Sequence, residues 1–375
     1  MGKVLILANS ASGLYDFRNE LVLALLQENE VYVSLPDEEK APALAREGCK
    51  VFHTPIDRRG VNPVRDIRLF ADYFRLMRRI KPDVVLTYTI KPNIYGNLCC
   101  RILRIPYLAN ITGLGSAFEN GGLVQKIVVF LYRMALKKAQ CIFFQNKTNQ
   151  DIFAQYGIRG HRTRLVPGSG VNLDRHTYKE YPAKARTVFL YVGRLMKEKG
   201  IDELIYAASR LHEEAPEVLF RLVGNYEEDY RARVEAYEKQ NIVEHTDYQK
   251  DVTPFYQEAS AVLMPSYHEG MSNVILEASA SGRPVLASQI PGCQEGFEDG
   301  VTGFGFAPRD KEALLCALRR FMALSGEERA QMGKRARAKM EREFDRRQVV
   351  QAYMEEIENC TNKIKNKKGI EKERT

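Results

Sequence analysis

This chain of 375 residues contains two series of short apolar, β-rich runs that alternate with helical stretches. The first series begins at residues 4–8 and includes runs at 31–35 and 84–89, and the second begins near Thr187 with Val188–Val192. Apolar strands separated by helices indicate a parallel sheet covered on both faces. Because the chain is also too long for one ordinary core, we predict two α/β units of similar size.

Composition near the middle and the end of the chain sets the predicted boundaries. Residues 167–172 are rich in Gly and Ser, which favours a linker. We therefore place an N-terminal domain at 1–168 and a C-terminal domain at 169–345. Residues 346–360 are predicted to form a helix that returns to the N-terminal domain, and the polar, basic residues 361–375 to form a disordered tail.

Charge is unevenly distributed between the two halves. Residues 1–180 carry 26 Lys and Arg against 16 Asp and Glu, and residues 181–375 carry 30 against 32. The basic half indicates an anionic partner such as phosphate, lipid headgroups or nucleic acid, whereas solvated helix faces explain any single cluster equally well. The seven cysteines form no CxxC and no metal-ligand spacing, so we expect free thiols in a reducing cytosol.

Two cationic side chains follow the strand Val188–Val192 directly. The segment at 193–200 reads GRLMKEKG and opens a helix. Ligands of open α/β sheets bind at the carboxyl ends of the strands, so Arg194 and Lys199 are positioned to hold a diphosphate whose charge grows as it leaves. Taken alone, the segment is equally compatible with a solvated basic loop.

A second polar segment, EGMSNVILE at 269–277, follows the strand Ala261–Met264. Free N–H groups at the start of a helix form an anion site. The residues expected at that start are Gly270, Met271, Ser272 and Asn273. Glu277 follows one turn later on the same helix face, where its carboxylate can accept both hydroxyls of a ribose, while Glu269 can reach a transferred sugar. The alternative is a capping residue followed by an exposed glutamate.

Together, the two segments resemble motifs of the retaining glycosyltransferases of family 4. Members of that family have the α/β GT-B fold, two Rossmann-like domains facing across a deep cleft. Their G-R-x4-K-G and E-x7-E motifs are matched here by Gly193, Arg194, Lys199, Gly200, Glu269 and Glu277. The resemblance covers nearly the whole chain.

The resemblance implies a role for each matching residue. Arg194 and Lys199 would hold the donor diphosphate, Glu277 the ribose and Glu269 the transferred sugar, so that Glu269, Arg194 and Lys199 are the predicted catalytic residues. The resemblance also includes a small-residue loop at 10–13, and we count Gly13, where the acceptor would enter, among the binding residues.

Two further segments narrow the range of candidate substrates. TIKPNIYG at 89–96 and ITGLG at 111–115 look like a bacterial subgroup that extends undecaprenyl-diphosphate-linked glycans for surface polysaccharide or glycoprotein synthesis. This implies transfer of a hexose or N-acetylhexosamine from a nucleotide diphosphate sugar, with UDP favoured by resemblance alone, to a lipid-linked acceptor.

The chain departs from the family at two positions. Many members have a donor-contacting His where this chain has Thr112 and Gly113, and Asn172 stands where an Asp is common. His53 and His268 are weaker candidates for the missing His.

No D-x-D sequence occurs in the chain. Other transferases use that motif to hold a metal, whereas here helix N-termini with Arg194 and Lys199 would supply the positive charge. We therefore expect no metal and no cofactor. No second carboxylate is evident for a covalent intermediate, which favours attack on the same face of the sugar as the leaving phosphate.

The stretch at 58–81 suggests contact with a membrane surface. Its basic stripe consists of Arg65, Arg68, Arg75 and Arg79. Its apolar residues are Ile67, Phe70, Phe74 and Met77. The pattern suits an interfacial helix on anionic lipid, and it equally suits a helix with its apolar side in the core. We expect a cytoplasmic protein that meets a membrane only at the inner surface, because no apolar run approaches the roughly 20 residues of a spanning helix.

Two rival functions share parts of this pattern. A non-hydrolysing sugar-nucleotide epimerase has the same two-domain architecture but no reason to carry both motifs. A nucleic-acid-binding protein would explain the sequence pI near 9.0, yet no Arg/aromatic binding module is present, and we expect no nucleic-acid partner.

Overall fold

The computed structural model of the protein describes residues 2–57, 60, 62–114, 122–182 and 186–372, except for the side chains of 363–372. The chain divides into two compact units. Unit 1 comprises Met1–Ser169 and Arg347–Thr375, and unit 2 comprises Gly170–Arg346. Each predicted boundary lies one residue before the observed one.

Unit 1 is built on a seven-stranded parallel sheet with the order β3-β2-β1-β4-β5-β6-β7. Its strands are β1 Gly2–Leu7, β2 Asn29–Leu35, β3 Lys50–His53, β4 Val84–Tyr88, β5 Tyr107–Ile111, β6 Cys141–Phe144 and β7 Thr163–Leu165. Ile6 in β1 lies opposite Val33 on one side and Leu86 on the other. All three side chains are fully buried, as expected for a sheet covered on both faces.

Helices cover both faces of this sheet. They are α1 Ala11–Leu26, α2 Ala41–Arg46, α3 Pro63–Ile80, α4 Asn97–Leu103, α5 Gly122–Leu136 and α6 Lys147–Gln155. A π-helical turn, Pro92–Gly96, precedes α4. One core contains Val22 of α1, and a separate core contains Tyr73 of α3, Cys100 of α4 and Tyr132 of α5. Helices α3, α4 and α5 therefore share one face of the sheet, and α1 lies on the other.

Unit 2 repeats the same topology with six parallel strands in the order β10-β9-β8-β11-β12-β13. Its strands are β8 Val188–Val192, β9 Leu219–Val223, β10 Val243–Thr246, β11 Ala261–Met264, β12 Val285–Ser288 and β13 Gly303–Phe306. Its helices are α7 Ile201–Glu214, α8 Arg231–Glu238, α9 Thr253–Glu258, α10 Asn273–Ala280, α11 Lys311–Met322 and α12 Gly326–Glu343. Two Rossmann-like units, as predicted, are confirmed.

The strand order reverses at one point in each sheet. In unit 1 the reversal lies between β1 and β4, and in unit 2 between β8 and β11. Loops that leave the carboxyl ends of the two strands at such a point diverge, and the gap between them is the usual ligand site of a doubly wound sheet. Both predicted motifs of the C-terminal domain follow the strands at the reversal in unit 2.

The last helix, α13 Arg346–Lys372, packs on unit 1. The Tyr353 ring stacks on Phe143 with 4.1 Å between ring centroids, and the Tyr353 hydroxyl donates to the Asn110 side chain. Residues 361–372 continue this helix, which differs from the disordered tail expected there. They contain no Pro and follow a helix already anchored by its apolar side, so helix propagation is favourable. Residues 373–375 lie outside the described part of the chain.

The apolar side of α3 faces the protein core. Tyr73 and Met77 are buried, and Phe70 and Phe74 pack against the same cluster. Only Ile67 of the apolar residues singled out at 58–81 is exposed, at 69%. The interfacial-helix interpretation of this stretch is therefore wrong for most of its apolar face. In the described ranges of the chain, no helix is both long and apolar enough to cross a bilayer.

Candidate functional site

Two loops leave neighbouring strands at the carboxyl edge of the unit 2 sheet. The loop at 193–200 follows β8, and the loop at 265–272 follows β11. The backbone N–H of Tyr267 donates to the carbonyl oxygen of Glu198 at 2.9 Å, which links the second loop to the first. The two motifs therefore meet at the reversal point of the sheet.

Gly200 makes this close approach possible. Its φ is 73°, and a Cβ atom built at this position would lie 2.2 Å from the carbonyl oxygen of Pro265. An L side chain is strained at such a φ, and here it would also collide with backbone. Glycine at position 200 therefore holds the two loops against each other.

The charged side chains of the two motifs contact each other or lie within electrostatic range. Lys199 Nζ lies 2.5 Å from Glu269 Oε1, and both side chains are largely buried, at 21% and 15% exposure. Arg194 is more exposed and forms an ion pair with Glu227 in the loop after β9. Burial raises the pKa of Tyr191, the Glu269 charge raises it further and the Arg194 charge opposes the shift. The charges of Arg194, Lys199 and Glu269 therefore lie close together at this edge of the sheet.

Helix α10 begins beside this charged group. The Ser272 side chain caps the helix and accepts from the Ile275 N–H at 3.4 Å. The Ser272 N–H donates to the Gly292 carbonyl at 2.8 Å, and a Cβ atom at Gly292 would lie 2.5 Å from the Glu269 carbonyl oxygen. Backbone from the loop after β12 thus supports the turn into α10, whose N-terminal dipole favours an anion.

Glu277 has neighbours that the sequence motifs do not include. Its Oε2 accepts a hydrogen bond from the Tyr256 hydroxyl at 2.9 Å, and its Oε1 lies 4.0 Å from His176 Nε2. Burial lowers the pKa of His176 to about 4, helped by the positive charges of Arg175 and Arg346. The imidazole is therefore neutral near pH 7, and the negative charge of Glu277 is not compensated by it.

The structure brings most of the predicted site residues to this edge. They are Gly193, Arg194, Lys199, Glu269, Gly270, Met271, Ser272 and Asn273, with Glu277 one turn further along α10. His176 and Tyr256 were missed, because no sequence spacing connects either position with Glu277. Only the folded chain reveals that contact.

Gly13 lies in unit 1 and is not part of a loop. Helix α1 already begins at Ala11, and the Gly13 N–H donates to the side chain of Ser10 at 3.1 Å. The small-residue loop predicted at 10–13 is therefore wrong. Ser10 is a strong N-cap, so the helix starts one turn earlier than the small side chains suggest.

The two candidate histidines have structural neighbours. His53 ends β3, with Nε2 3.0 Å from the Pro36 carbonyl oxygen. His268 Nε2 lies 3.4 Å from an Arg309 guanidinium nitrogen. Neither contact identifies a replacement for the His that family members carry.

Unit 1 has a pocket of about 210 Å³ at its own reversal point. Its lining residues are Asn9, Ile56, Thr89, Ile90, Lys91, Pro92, Thr112 and Gly113. Lys91 Nζ is 2.6 Å from Asp66, and both side chains are largely buried. Parts of the two segments used above to rank substrates therefore line one pocket.

Comparison with known families identifies both units. Residues 3–146 match the family described as glycosyl transferase 4-like, and residues 175–339 match glycosyl transferases group 1. A glycogen synthase of Mycobacterium tuberculosis is 31% identical over 288 residues, which are 73% of this chain and 68% of that protein. The chain belongs to the family 4 glycosyltransferases.

A second relative and a solved structure extend the comparison. The N,N'-diacetylbacillosaminyl-diphospho-undecaprenol alpha-1,3-N-acetylgalactosaminyltransferase of Campylobacter jejuni is 25% identical over 315 residues, 79% of this chain and 83% of that one. Among solved structures, Anabaena HepE in complex with UDP and glucose superimposes with a TM-score of 0.78 at 20% identity, covering 96% of this chain and all of the other. The GT-B fold is thereby confirmed for this glycosyltransferase. Neither the epimerase nor the nucleic-acid-binding alternative finds support among these relatives.

Proposed function

We propose that this glycosyltransferase moves a hexose or N-acetylhexosamine from a UDP-sugar to a lipid-linked glycan, with retention of configuration. The observation that carries the proposal is the meeting of Arg194, Lys199, Glu269 and the start of α10 at the reversal point of the unit 2 sheet. Cations and a helix N-terminus are the groups that stabilise a departing diphosphate.

The relatives support the choice of donor and acceptor. HepE was crystallised with UDP and glucose, and the Campylobacter protein is named for a diphospho-undecaprenol acceptor. A lipid-linked acceptor also supports a cytoplasmic protein that is peripheral on the inner face of the cytoplasmic membrane.

We infer how the ion pairs respond to the donor. A lysine ammonium has three hydrogen-bond donors, so Lys199 can keep its contact with Glu269 while it turns another N–H toward phosphate. Glu269 would in this way fix Lys199 before the donor arrives and remain beside the sugar that is transferred. Arg194 has five donors and an exposed side chain, so it can contact phosphate without leaving Glu227.

The Glu277 carboxylate would accept the ribose hydroxyls. The Tyr256 hydroxyl fixes one of its oxygens, and the neutral His176 adds no competing charge. In the reaction we propose, the acceptor hydroxyl attacks the anomeric carbon on the face that the diphosphate leaves. The bond from the anomeric carbon to the diphosphate oxygen breaks, and the leaving phosphate takes the acceptor proton.

Thermal stabilisation by UDP, followed by mass spectrometry of a transfer product, tests the proposal. We expect UDP to raise the Tm of the wild type and Lys199→Ala to weaken UDP binding by roughly tenfold or more. Lys197→Ala is the matched control, because Lys197 is exposed in the same loop. Normal UDP stabilisation of the Lys199→Ala protein, or a product that is an epimerised free nucleotide sugar, would contradict the proposal.

Metal independence is a separate part of the proposal. Because cationic side chains and a helix start would neutralise the leaving group, EDTA should leave the rate of transfer unchanged. Restoration of an EDTA-inhibited rate by Mg²⁺ or Mn²⁺ would contradict this part alone.

A further inference from the structure

Helix α5 presents a second apolar face on the side opposite the core. Its inner side chains, including Val129 and Tyr132, are buried against the sheet. Its outer side chains are Leu123, Ile127, Phe130 and Met134, with exposures of 73%, 49%, 60% and 42%. The spacing of four, three and four residues puts them in one stripe. We call these four residues the α5 face.

The neighbouring helix α4 packs beside α5 and has an exposed apolar residue of its own. The Arg101 guanidinium of α4 donates to the Met134 carbonyl oxygen at the end of α5. Ile102, the next residue of α4, is 61% exposed. Contiguous exposed apolar residues of this kind are typical of interaction sites rather than of free surface.

Helices α4 and α5, with the residues that directly follow them, carry only positive charges in the sequence. Residues 97–104 and 122–138 contain six cationic residues and no Asp or Glu. These cations are Arg101, Arg104, Lys126, Arg133, Lys137 and Lys138. Over the longer stretch from 84 to 146, Glu119 is the one acidic residue in the sequence. The partner of this surface therefore combines an apolar layer with negative charge.

A second copy of the chain does not fit this description. A symmetric dimer would place the same patch of both subunits together, so the cations of α4 and α5 in one subunit would face those of the other. An anionic bilayer supplies both complements, since its acyl region accepts the apolar stripe and its headgroups attract Lys and Arg.

We propose that the α5 face docks this protein on an anionic lipid surface. Docking by this face would bring a lipid-linked acceptor close to the protein, and this purpose rests on the proposed function. Helix α5 packs against the turn Pro92–Gly96, and the Tyr132 hydroxyl hydrogen-bonds the Asn93 side chain. Pro92 lines the pocket at the reversal point of unit 1. A lipid-anchored acceptor held at the docked surface is thus close to that pocket.

Vesicle cosedimentation tests the proposal on the full chain. The wild type should pellet with phosphatidylcholine vesicles that contain phosphatidylglycerol, and weakly with phosphatidylcholine alone. The double variant Ile127→Ser/Phe130→Ser should reduce partition into the anionic vesicles by roughly tenfold or more. Lys126→Glu/Lys137→Glu should reduce it as well, and added salt should weaken the wild type toward the level of the charge variant.

A matched control lies on the other face of the same sheet. Leu23 of α1 is 43% exposed, so Leu23→Ser removes a similar apolar side chain and should leave vesicle binding unchanged. Because the substituted residues are exposed, all variants should fold and keep the Tm increase caused by UDP, which depends on unit 2. Loss of vesicle binding with UDP stabilisation intact would thus locate the effect in docking rather than in donor binding.

Two outcomes would overturn the docking proposal. One is equal binding of the wild type and the Ile127→Ser/Phe130→Ser variant to anionic vesicles, or no binding by either. The other is a concentration-dependent dimer in analytical ultracentrifugation that this double variant abolishes, which would assign the α5 face to self-association. Either result leaves the proposed sugar transfer standing if UDP still stabilises the protein.

Discussion

The two sheets have the same topology but different chemistry at their reversal points. In unit 2 the loops carry paired charges, with Lys199 on Glu269 and Arg194 on Glu227. Unit 1 also has a charge pair at its pocket, Lys91 with Asp66, but the fully buried side chains of Thr87, Asn93 and Asn110 form a neutral network. Thr87 Oγ1 donates to Asn93 Oδ1 at 2.7 Å, Asn93 Nδ2 to the Asn110 carbonyl at 2.8 Å, and Asn110 Nδ2 to the Thr87 carbonyl at 3.0 Å. The shared topology positions a ligand site at each reversal point, and the side chains at that site determine which ligand binds.

The outer surfaces of the two units differ as well. Residues 1–180 have an excess of basic residues, whereas residues 181–375 have slightly more acidic than basic ones. The α5 face has no counterpart of similar density among the exposed large hydrophobic residues described in unit 2, Tyr248 and Val301. We interpret unit 2 as the part that handles a small charged donor and unit 1 as the part that handles a surface.

Removing the Glu269 charge should have the largest effect. Glu269→Gln would leave Lys199 without its ion-pair partner and weaken the contact that we propose Glu269 makes with the transferred sugar. We expect the rate of sugar transfer to fall by roughly 100-fold or more, measured as kcat/KM with a UDP-sugar that gives a transfer product. Glu213→Gln, an exposed substitution on α7 of the same unit, is the control. A near-normal rate for Glu269→Gln would show that sugar transfer does not need the Lys199–Glu269 pair, and the charge difference between the two units would then not explain their roles.

Substitution of Gly200, whose backbone conformation suits only glycine, should be almost as damaging. Gly200→Ala introduces a Cβ at a φ of 73° and 2.2 Å from the Pro265 carbonyl oxygen. Strain and collision together should lower the free energy of unfolding by about 3 kcal/mol. Urea unfolding measures the loss. Gly326→Ala is the control, since a Cβ there meets no atom within 4 Å, and it should change stability by less than about 0.5 kcal/mol.

How well the sequence predicted each unit follows from where the information lies. In unit 2 the motif residues are adjacent in sequence and follow neighbouring strands, so local pattern and sheet topology together bring Arg194, Lys199 and Glu269 to one edge. The partners of Glu277 were not predictable in this way. His176 and Tyr256 contact Glu277 only through tertiary packing, which hydrophobic periodicity does not predict.

In unit 1 the same periodicity was misleading. It shows that α3 has an apolar side, but it does not show whether that side contacts the sheet or a bilayer. Helix α5 was not singled out for a different reason: both its inner side and its outer stripe are apolar, so the sequence alone does not show which side is exposed. Burial had to be known before inner and outer faces could be separated.

Acid should weaken unit 2 through His176. Burial and two nearby Arg charges lower the pKa of His176 to about 4 in the folded protein, below the value of about 6.5 for an unfolded chain. Between these values the unfolded state binds more protons, so stability is lost as pH falls through this range and is unaffected above it. We expect a loss of about 2 kcal/mol between about pH 7 and about pH 5 from this group.

Urea unfolding of the wild type and His176→Gln at the two pH values measures this contribution. The variant should lose less stability on acidification than the wild type does. His161→Gln, a substitution of an exposed His in unit 1, should retain the wild-type pH dependence. An unchanged pH dependence in the His176→Gln protein would show that the acid sensitivity lies elsewhere.

The smallest effect is expected from the neutral network of unit 1. Tyr353 is buried and donates to the Asn110 side chain, so Tyr353→Phe removes one hydrogen bond and leaves an acceptor without that donor. The free energy of unfolding should fall by about 1 kcal/mol, measured by urea unfolding, whereas Tyr248→Phe, at an exposed position of unit 2, should have almost no effect. The Tm increase caused by UDP should remain unchanged in both proteins, because the proposed donor groups all lie in unit 2. If Tyr353→Phe instead weakened UDP binding as much as Lys199→Ala does, donor binding would depend on the neutral network, and the division of roles between the two units would fail.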